Sequence, residues 1–354
     1  MGAAAAPAEA ALSSTPDPTW QANATVYAIV RSGGTIYLGG AFTQVMGHDG
    51  QVVDRTHLAA FDAQTGEVTS WNPGADKTVR ALAVSADGGT VYAGGSFVTV
   101  GGKTRTRLAA IDATAGTVLD TWKPKASATV RALAVSAGRV YLGGTFTSVN
   151  GVARLRLAAV DATTGALVSD WAPQADAGVR ALLVSPDAQR VYVGGGFLNI
   201  SGSSQSHLAA LSATDGSVLA WRSHPSYPIY ALAQTASRLY GAGGGGGGNV
   251  PAYDVATGAL QWTGKTDGNV QAVAVIGDQV VAGGHFQYYA GVFRGHIAAV
   301  DAVTGALDPN WHPRLNSVVG VTSEFAVSDH LYVGGAFTTV AGIAQAHFAS
   351  FARS

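Results

Sequence analysis

Arg80, Arg131 and Arg180 occupy the same place in three near-copies of one short sequence: Val79-Arg80-Ala81-Leu82, Val130-Arg131-Ala132-Leu133 and Val179-Arg180-Ala181-Leu182. A guanidinium offers planar, forked N–H donors that match the oxygens of carboxylate, sulfate or phosphate. The corresponding slot in other copies holds Tyr27, Tyr230 and Gln271, and in the last copy Gly320 or Thr322. Tyr27, Arg80, Arg131, Arg180, Tyr230 and Gln271 are therefore the candidate ligand-binding residues, with the tyrosines as flat walls. A plainer reading pairs the arginines with loop carboxylates such as Asp76 and Asp176 and leaves them only a sealing role.

Only three Glu occur in the chain, and Glu9 and Glu67 fall in the tail and in a turn. Glu324 lies in Val321-Thr322-Ser323-Glu324-Phe325, where the other copies carry an aliphatic residue. A lone carboxyl in an apolar strand has a raised pKa unless a donor meets it, and that is how a general acid or base is prepared. The alternative is a two-residue shift that places Glu324 in a water-filled channel. His285 and Tyr288 are nearby in repeat order, in His285-Phe286-Gln287-Tyr288-Tyr289, with His312 and a loop carrying His48, Asp49 and Asp54 on the same flank. Glu324, His285 and Tyr288 are the candidate catalytic residues. A polysaccharide lyase can be assembled from them: Arg131 or Arg180 neutralises a uronate while His285 or Tyr288 takes the α-proton. A retaining glycosidase needs two carboxyls about 5 Å apart, and Glu324 has no obvious partner.

Composition removes other classes. The 354 residues carry 21 basic and 22 acidic side chains, so no field of one sign favours nucleic acid. The absence of Cys excludes disulfides, thiolate metal sites and cysteine nucleophiles. No run approaches the roughly 18 apolar residues of a spanning helix. There is no G-x-S-x-G elbow, and the glycines at 243–248 lack the Lys-Ser/Thr of a phosphate loop. The repeated His57, His296 and His347 sit too far apart on neighbouring sheets to share a metal, so no metal and no cofactor are expected. The Ala/Pro-rich head Met1–Ala10 reads as sequence just beyond a signal-peptide cleavage region, which makes a secreted protein the expectation; a native start with a floppy tail is the alternative.

The elements that must position these side chains follow from a repeat. The seven Trp are Trp20, Trp71, Trp122, Trp171, Trp221, Trp262 and Trp311, spaced by 51, 51, 49, 50, 41 and 49 residues. After each comes an apolar V-x-A run, then Y-x-G-G-x-F, a polar loop and L-A-A-φ-D-A-x-x-G, where φ is apolar. Short β-branched and aromatic runs bounded by Gly and Asp-Gly turns are strands, and four per roughly 50 residues is propeller arithmetic. The expectation is all-β: a seven-bladed propeller with four antiparallel strands per blade, closed by the N-terminal strand of Trp20 joining the last blade. Residues 1–17 form a tail, and 18–354 a single domain and a monomer. Blade five, shortened between Trp221 and Trp262, leaves either a notch in the rim or a decayed repeat.

Several repeated residues are read as structural. Asp62, Asp112, Asp161, Asp254 and Asp301 stand four residues before a turn Gly and hydrogen-bond their own turn amides. The seven Trp wedge between blades and place one N–H each; a sugar stacked on every Trp is the lectin alternative. The pairs Arg55/His57, Arg105/Arg107, Arg154/Arg156, Gln205/His207, Arg294/His296 and Gln345/His347 brace loops through carbonyl contacts.

The stretches Ala110-Ile111-Asp112 to Gly116 and Trp122, Ala159-Val160-Asp161 to Gly165 and Trp171, and Ala299-Val300-Asp301 to Gly305 and Trp311 resemble the tryptophan-docking motif of quinoprotein-like propellers. With G-G-x-F and R-x-[RH]-L the chain resembles, from Trp20 to Phe351, a secreted actinobacterial-type propeller repeat family of unknown function. That resemblance implies the fold and no activity. Quinone enzymes, by resemblance, need eight blades and acidic calcium ligands, which argues against such a cofactor here. The function expected is a binding or interaction module for an anionic or carbohydrate-like ligand at the channel mouth. A polysaccharide-acting enzyme and a protein-binding scaffold are the alternatives.

Overall fold

The computed structural model describes residues 11–317 and 319–353, and among them there are strands, bridges and turns but no helix. The head Met1–Ala10 lies outside the described residues. Seven sheets share one plan: an inner strand, a middle strand and a third strand, all antiparallel. The first is Val26–Ser32, Thr35–Gly40 and Leu58–Asp62. Inner strands of the next six are Val79–Val84, Val130–Ser136, Val179–Val184, Ile229–Gln234, Val270–Ile276 and Val321–Ala326. Their middle strands, such as Thr90–Gly95 and His330–Gly335, are buried along almost their whole length. Both faces of each middle strand are covered by neighbouring sheets, so its sequence reads as a continuous apolar run rather than an alternating one.

The Gly-Gly pair that ends most middle strands has a packing cause. A Cβ on Gly94 would lie 2.8 Å from Val130 Cγ1 of the next sheet, and one on Gly143 would lie 2.6 Å from Val179 Cγ1. Gly334 faces Val26 in the same way, so the seventh sheet packs on the first as the second packs on the third. One apolar cluster accordingly joins Val26, Ile29 and Phe61 to Tyr332 and Phe348. Thr322 Oγ1 also donates to the Val26 carbonyl at 2.7 Å.

Each Trp ties one sheet to the next. Trp71 stands edge-on to Tyr37 of its own sheet, centroids 5.1 Å apart, and donates its indole N–H to the Asp112 carbonyl of the following sheet at 2.9 Å. Trp122, Trp171 and Trp221 repeat this with the carbonyls of Asp161, Ser212 and Asp254. Trp262 reaches the carbonyl of Ala302, Trp311 that of Ser13, and Trp20 the carboxylate of Glu67 at 2.6 Å. Every indole except the half-buried Trp262 is buried, so the other six offer no exposed face to a sugar. The repeated Tyr of the middle strand adds a tie of its own, Tyr37 Oη to Ala113 O at 2.7 Å and Tyr92 Oη to Ala162 O at 2.7 Å.

Asp62 Oδ1 accepts from the amides of Gln64 and Thr65, and Asp161 Oδ1 from those of Thr163 and Thr164. Asp112 and Asp301 do the same, while Asp254 accepts from Thr257. The amide bonds lead in holding the carboxyls of Asp62 and Asp161 below the usual range, and at Asp254 and Asp301 the hydroxyls of Thr257 and Thr304 lead, with the amides second. Arg55, Arg105, Arg154 and Arg294 clamp the carbonyls of Thr69, Leu119, Ser169 and Asp308, just upstream of a Trp. The second members of those pairs, His57, Arg107, Arg156 and His296, adopt positive φ at the turn into the third strand.

Two expectations need correction. Four regular strands per sheet is too many. In most sheets the fourth segment touches the third strand at an isolated bridge, as Phe61 with Val68 and Ile111 with Val118, and then bridges the hairpin of the next sheet, as Ala75 with Val100. Among the described residues only the fifth sheet has a full outer strand there, Leu260–Thr266. Its direct turn from Gly243 to Gly248 brings Gly248–Asp254 into place without a hairpin, and the outer strand then pairs at Tyr289 with the sixth sheet's hairpin. The second correction is the tail expected over residues 1–17. Leu12 is buried and bridges Arg353, and the amides of Ser13 and Asp17 donate to Ala352 and Ser350. The segment from Leu12 therefore lies along the last strand, Phe348–Ala352, ahead of Trp20.

Candidate functional site

All seven inner strands carry a β-bulge at their second residue. Register slips between Val79 and Ala81, between Val130 and Ala132, and between Val179 and Ala181. The same slip falls at Tyr27, Tyr230, Gln271 and Thr322. A bulge leaves its extra residue out of the ladder and re-aims the side chain. Here the extra residues, Tyr27, Arg80, Arg131, Arg180, Tyr230, Gln271 and Thr322, line one central cavity of about 600 Å³. The last copy contributes Thr322 rather than Gly320.

Electrostatics across this ring are lopsided. Arg80 lies with Cζ 4.7 Å from the Tyr27 ring centroid, and Arg180 lies 4.7 Å from that of Tyr230. The two tyrosines thus bracket the three arginines and hold the outer pair by cation–π contact. Arg131 stands between them, and burial first, then the charges of Arg180 and Arg80, push its pKa down. Among the described residues no carboxylate forms an ion pair with any of the three. Asp76 and Asp176 are engaged elsewhere, with the amides of Val98 and Thr99 and with Leu198 and Asn199. The sealing role by Arg–Asp pairing is therefore not the arrangement found.

Two residues further along each inner strand a second ring faces the cavity: Ile29, Leu82, Leu133, Leu182, Leu232, Val273 and Glu324. Glu324 is in register, opposite Val333, so no two-residue shift occurs. Its stem lines the cavity, while Oε1 occupies the space that a side chain at Gly283 of the sixth sheet would fill. Neither carboxyl oxygen is exposed or finds a hydrogen-bond partner among the described residues. Burial pushes this carboxyl up to about 8, so it is predominantly neutral at pH 7.

The other two candidate catalytic residues are not brought to Glu324. His285 lines a separate cavity of about 430 Å³ with Asp267, Asn269, His296 and Ser317, beside the shortened Gly245–Gly247 turn. Tyr288 is 44% exposed on a hairpin, edge-on to Phe293 at 5.5 Å. A lyase base drawn from either residue is thus not placed at the arginine ring. His48, Asp49, Asp54 and His312 lie exposed outside both cavities. Among the described residues no group of three or more His, Asp or Glu could hold a metal. A quinone cofactor with an acidic calcium site does not fit, because the one carboxyl among the residues lining the central cavity is that of the half-buried Glu324, whose oxygens are buried and unpaired.

With this geometry in hand, comparison with known families is informative. Two overlapping stretches, residues 54–226 and 107–336, match the PQQ_2 family, described as outer membrane protein assembly factor BamB. The chain belongs to this family. Its matched stretches run from the first sheet into the seventh and carry the Trp-docking units described above. Among solved structures, the WD40 β-propeller domain of Doa1 is similar with a TM-score of 0.67, at 12% identity over 98% of both chains. A computationally designed protein, Ika8, is similar with a TM-score of 0.58, at 16% identity over 96% of this chain and 100% of that one. At these identities the likeness is one of fold, a β-propeller. A comparison with curated proteins finds no match.

Proposed function

We propose that this PQQ_2-family propeller is a binding module that takes an anionic ligand, of the acidic-carbohydrate class, at the arginine face of its central cavity. The observation that carries the reading is the set of three bulge arginines on adjacent inner strands, with Arg131 partly desolvated between the other two and no described carboxylate in an ion pair with any of them. Like charges gathered without counter-charge cost free energy in the empty protein and are repaid by an anion. Tyr27 and Tyr230 supply flat apolar walls at the flanks, as a sugar ring requires.

The frame of the proposal is a seven-bladed ring closed through the N-terminal segment. Supporting it are the seven like sheets, the packing of Val26 against Gly334, and the bonds from Ser13 and Asp17 to the last strand. Such a ring makes the arginines of the second, third and fourth blades neighbours at one mouth.

An array of uronate-bearing, sulfated and neutral oligosaccharides tests the reading. Binding restricted to acidic glycans, weakening as salt rises, is expected. A blank array together with specific capture of a protein partner would favour the scaffold instead. Appearance of ultraviolet absorbance from an unsaturated uronate would move the protein into the enzyme class.

A further inference from the structure

A buried carboxyl with no hydrogen-bond partner is unusual enough in a native protein to need a cause. Glu324 stabilises nothing visible: its oxygens meet no donor, and its equivalents in the other six sheets are plain aliphatic residues. Leu at this position would bury apolar surface without the desolvation cost. The position is also not remote from the proposed site. Counting inner strands around the molecule, that of Glu324 is three places from that of Arg131 in one direction and four in the other. The carboxyl and the guanidinium therefore belong to nearly opposite walls. Glu324 sits two residues beyond its own bulge, roughly 7 Å deeper along the strand. The stem of Glu324 already lines the cavity, so a change of side-chain rotamer is the movement needed to bring the carboxyl from beside Gly283 to a ligand there.

We propose that the ligand of this cavity is zwitterionic: its anionic group is held by Arg80, Arg131 and Arg180, and a protonated amine of the same molecule reaches Glu324. An acidic sugar chain with an unacetylated amino group is the chemical class that fits. This inference rests on the anion-binding reading above and narrows it. The ligand's ammonium supplies the partner that Glu324 lacks, and the carboxyl ionises as the ligand seats.

The titratable groups around Glu324 leave that role to the ligand. Tyr27, Tyr230 and the three arginines share the cavity. The adjacent strands Val270–Ile276 and Gln279–Gly284 carry no titratable side chain. From the other side Val26–Ser32 brings Tyr27 and Arg31, the latter bound to Asp329 and Tyr332. The paired strand His330–Gly335 brings His330, which faces Asp17 and Asp329, and Tyr332.

Calorimetry with a glucuronosyl-glucosamine disaccharide, as the free amine and as its N-acetylated form, tests the proposal at pH 6.5 in two buffers of different ionisation heat. Glu324 is neutral in the empty cavity at that pH, because its pKa stands at about 8. The free amine is expected to bind at least tenfold more tightly and to release close to one proton per site. Both effects should vanish in Glu324→Gln, and in Glu324→Leu, which restores the residue type of the other sheets. Equal affinity for the two disaccharides, or a preference that survives both variants, overturns the inference. If that equality is accompanied by a loss of binding in Arg131→Ala, the anion reading stands and only the amine is wrong. Failure of both disaccharides to bind overturns the two together.

Discussion

At the scale of single residues, Glu324 makes the sharpest claim about energetics. Its pKa is near 8 in the folded protein and near 4.5 in an unfolded chain, so the folded state holds the proton more tightly. Between those values stability falls as pH rises, and the loss is complete above pH 8, at roughly 3–5 kcal/mol. Burial lowers the pKa of His57, His296 and His347, which works in the opposite sense below pH 6.5. The difference between the wild type and Glu324→Gln cancels that contribution. Urea unfolding at pH 5 and pH 8 should show the variant gaining on the wild type by several kcal/mol as pH rises; a constant difference would mean that the carboxyl finds a partner. The position of Glu324 was legible from its register against Leu82 and Leu133. Its direction was not, because that depends on the open backbone of Gly283 in another sheet.

Sequence periodicity at the scale of elements exposed the inner strands but not their bulges. V-x-A marks the second residue as different, yet a bulge is a backbone register slip that residue types do not announce. The bulge is what places Tyr27, Arg80 and Gln271 on a common cavity. Ring order likewise could not give radial distance. His285 and Tyr288 follow the middle strand in sequence, but the hairpin carries Tyr288 to the rim while His285 stays beside the short Gly turn. The Trp lattice was plain from spacing; the Tyr that binds the next sheet's turn was not, since Tyr in a strand needs no such explanation. Tyr37→Phe leaves the buried Ala113 carbonyl without its 2.7 Å partner and should cost about 1–2 kcal/mol by urea unfolding. Trp122→Ala removes a buried wedge between two sheets and should cost about 3–5 kcal/mol. An unchanged midpoint for either would contradict the account of how the sheets are tied.

The account rests, for the whole molecule, on the N-terminal segment acting as part of the last sheet. Against a control that lacks residues 1–10, removing 1–19 also deletes the Leu12 bridge and the bonds of Ser13, Asp17 and Thr19. A loss of roughly 5 kcal/mol is expected for the longer truncation by calorimetry, and equal stability of the two would remove the tie. The repeat made the architecture legible because one unit reads the same seven times. Function is harder to read because the repeats differ from one another at only a few side chains. The most direct measurement is diffraction from crystals soaked with an acidic oligosaccharide. The account predicts a carboxylate or sulfate of the ligand within about 3 Å of the Arg80, Arg131 and Arg180 guanidiniums; ligand ordered only elsewhere on the surface, with that cavity unchanged, would contradict it.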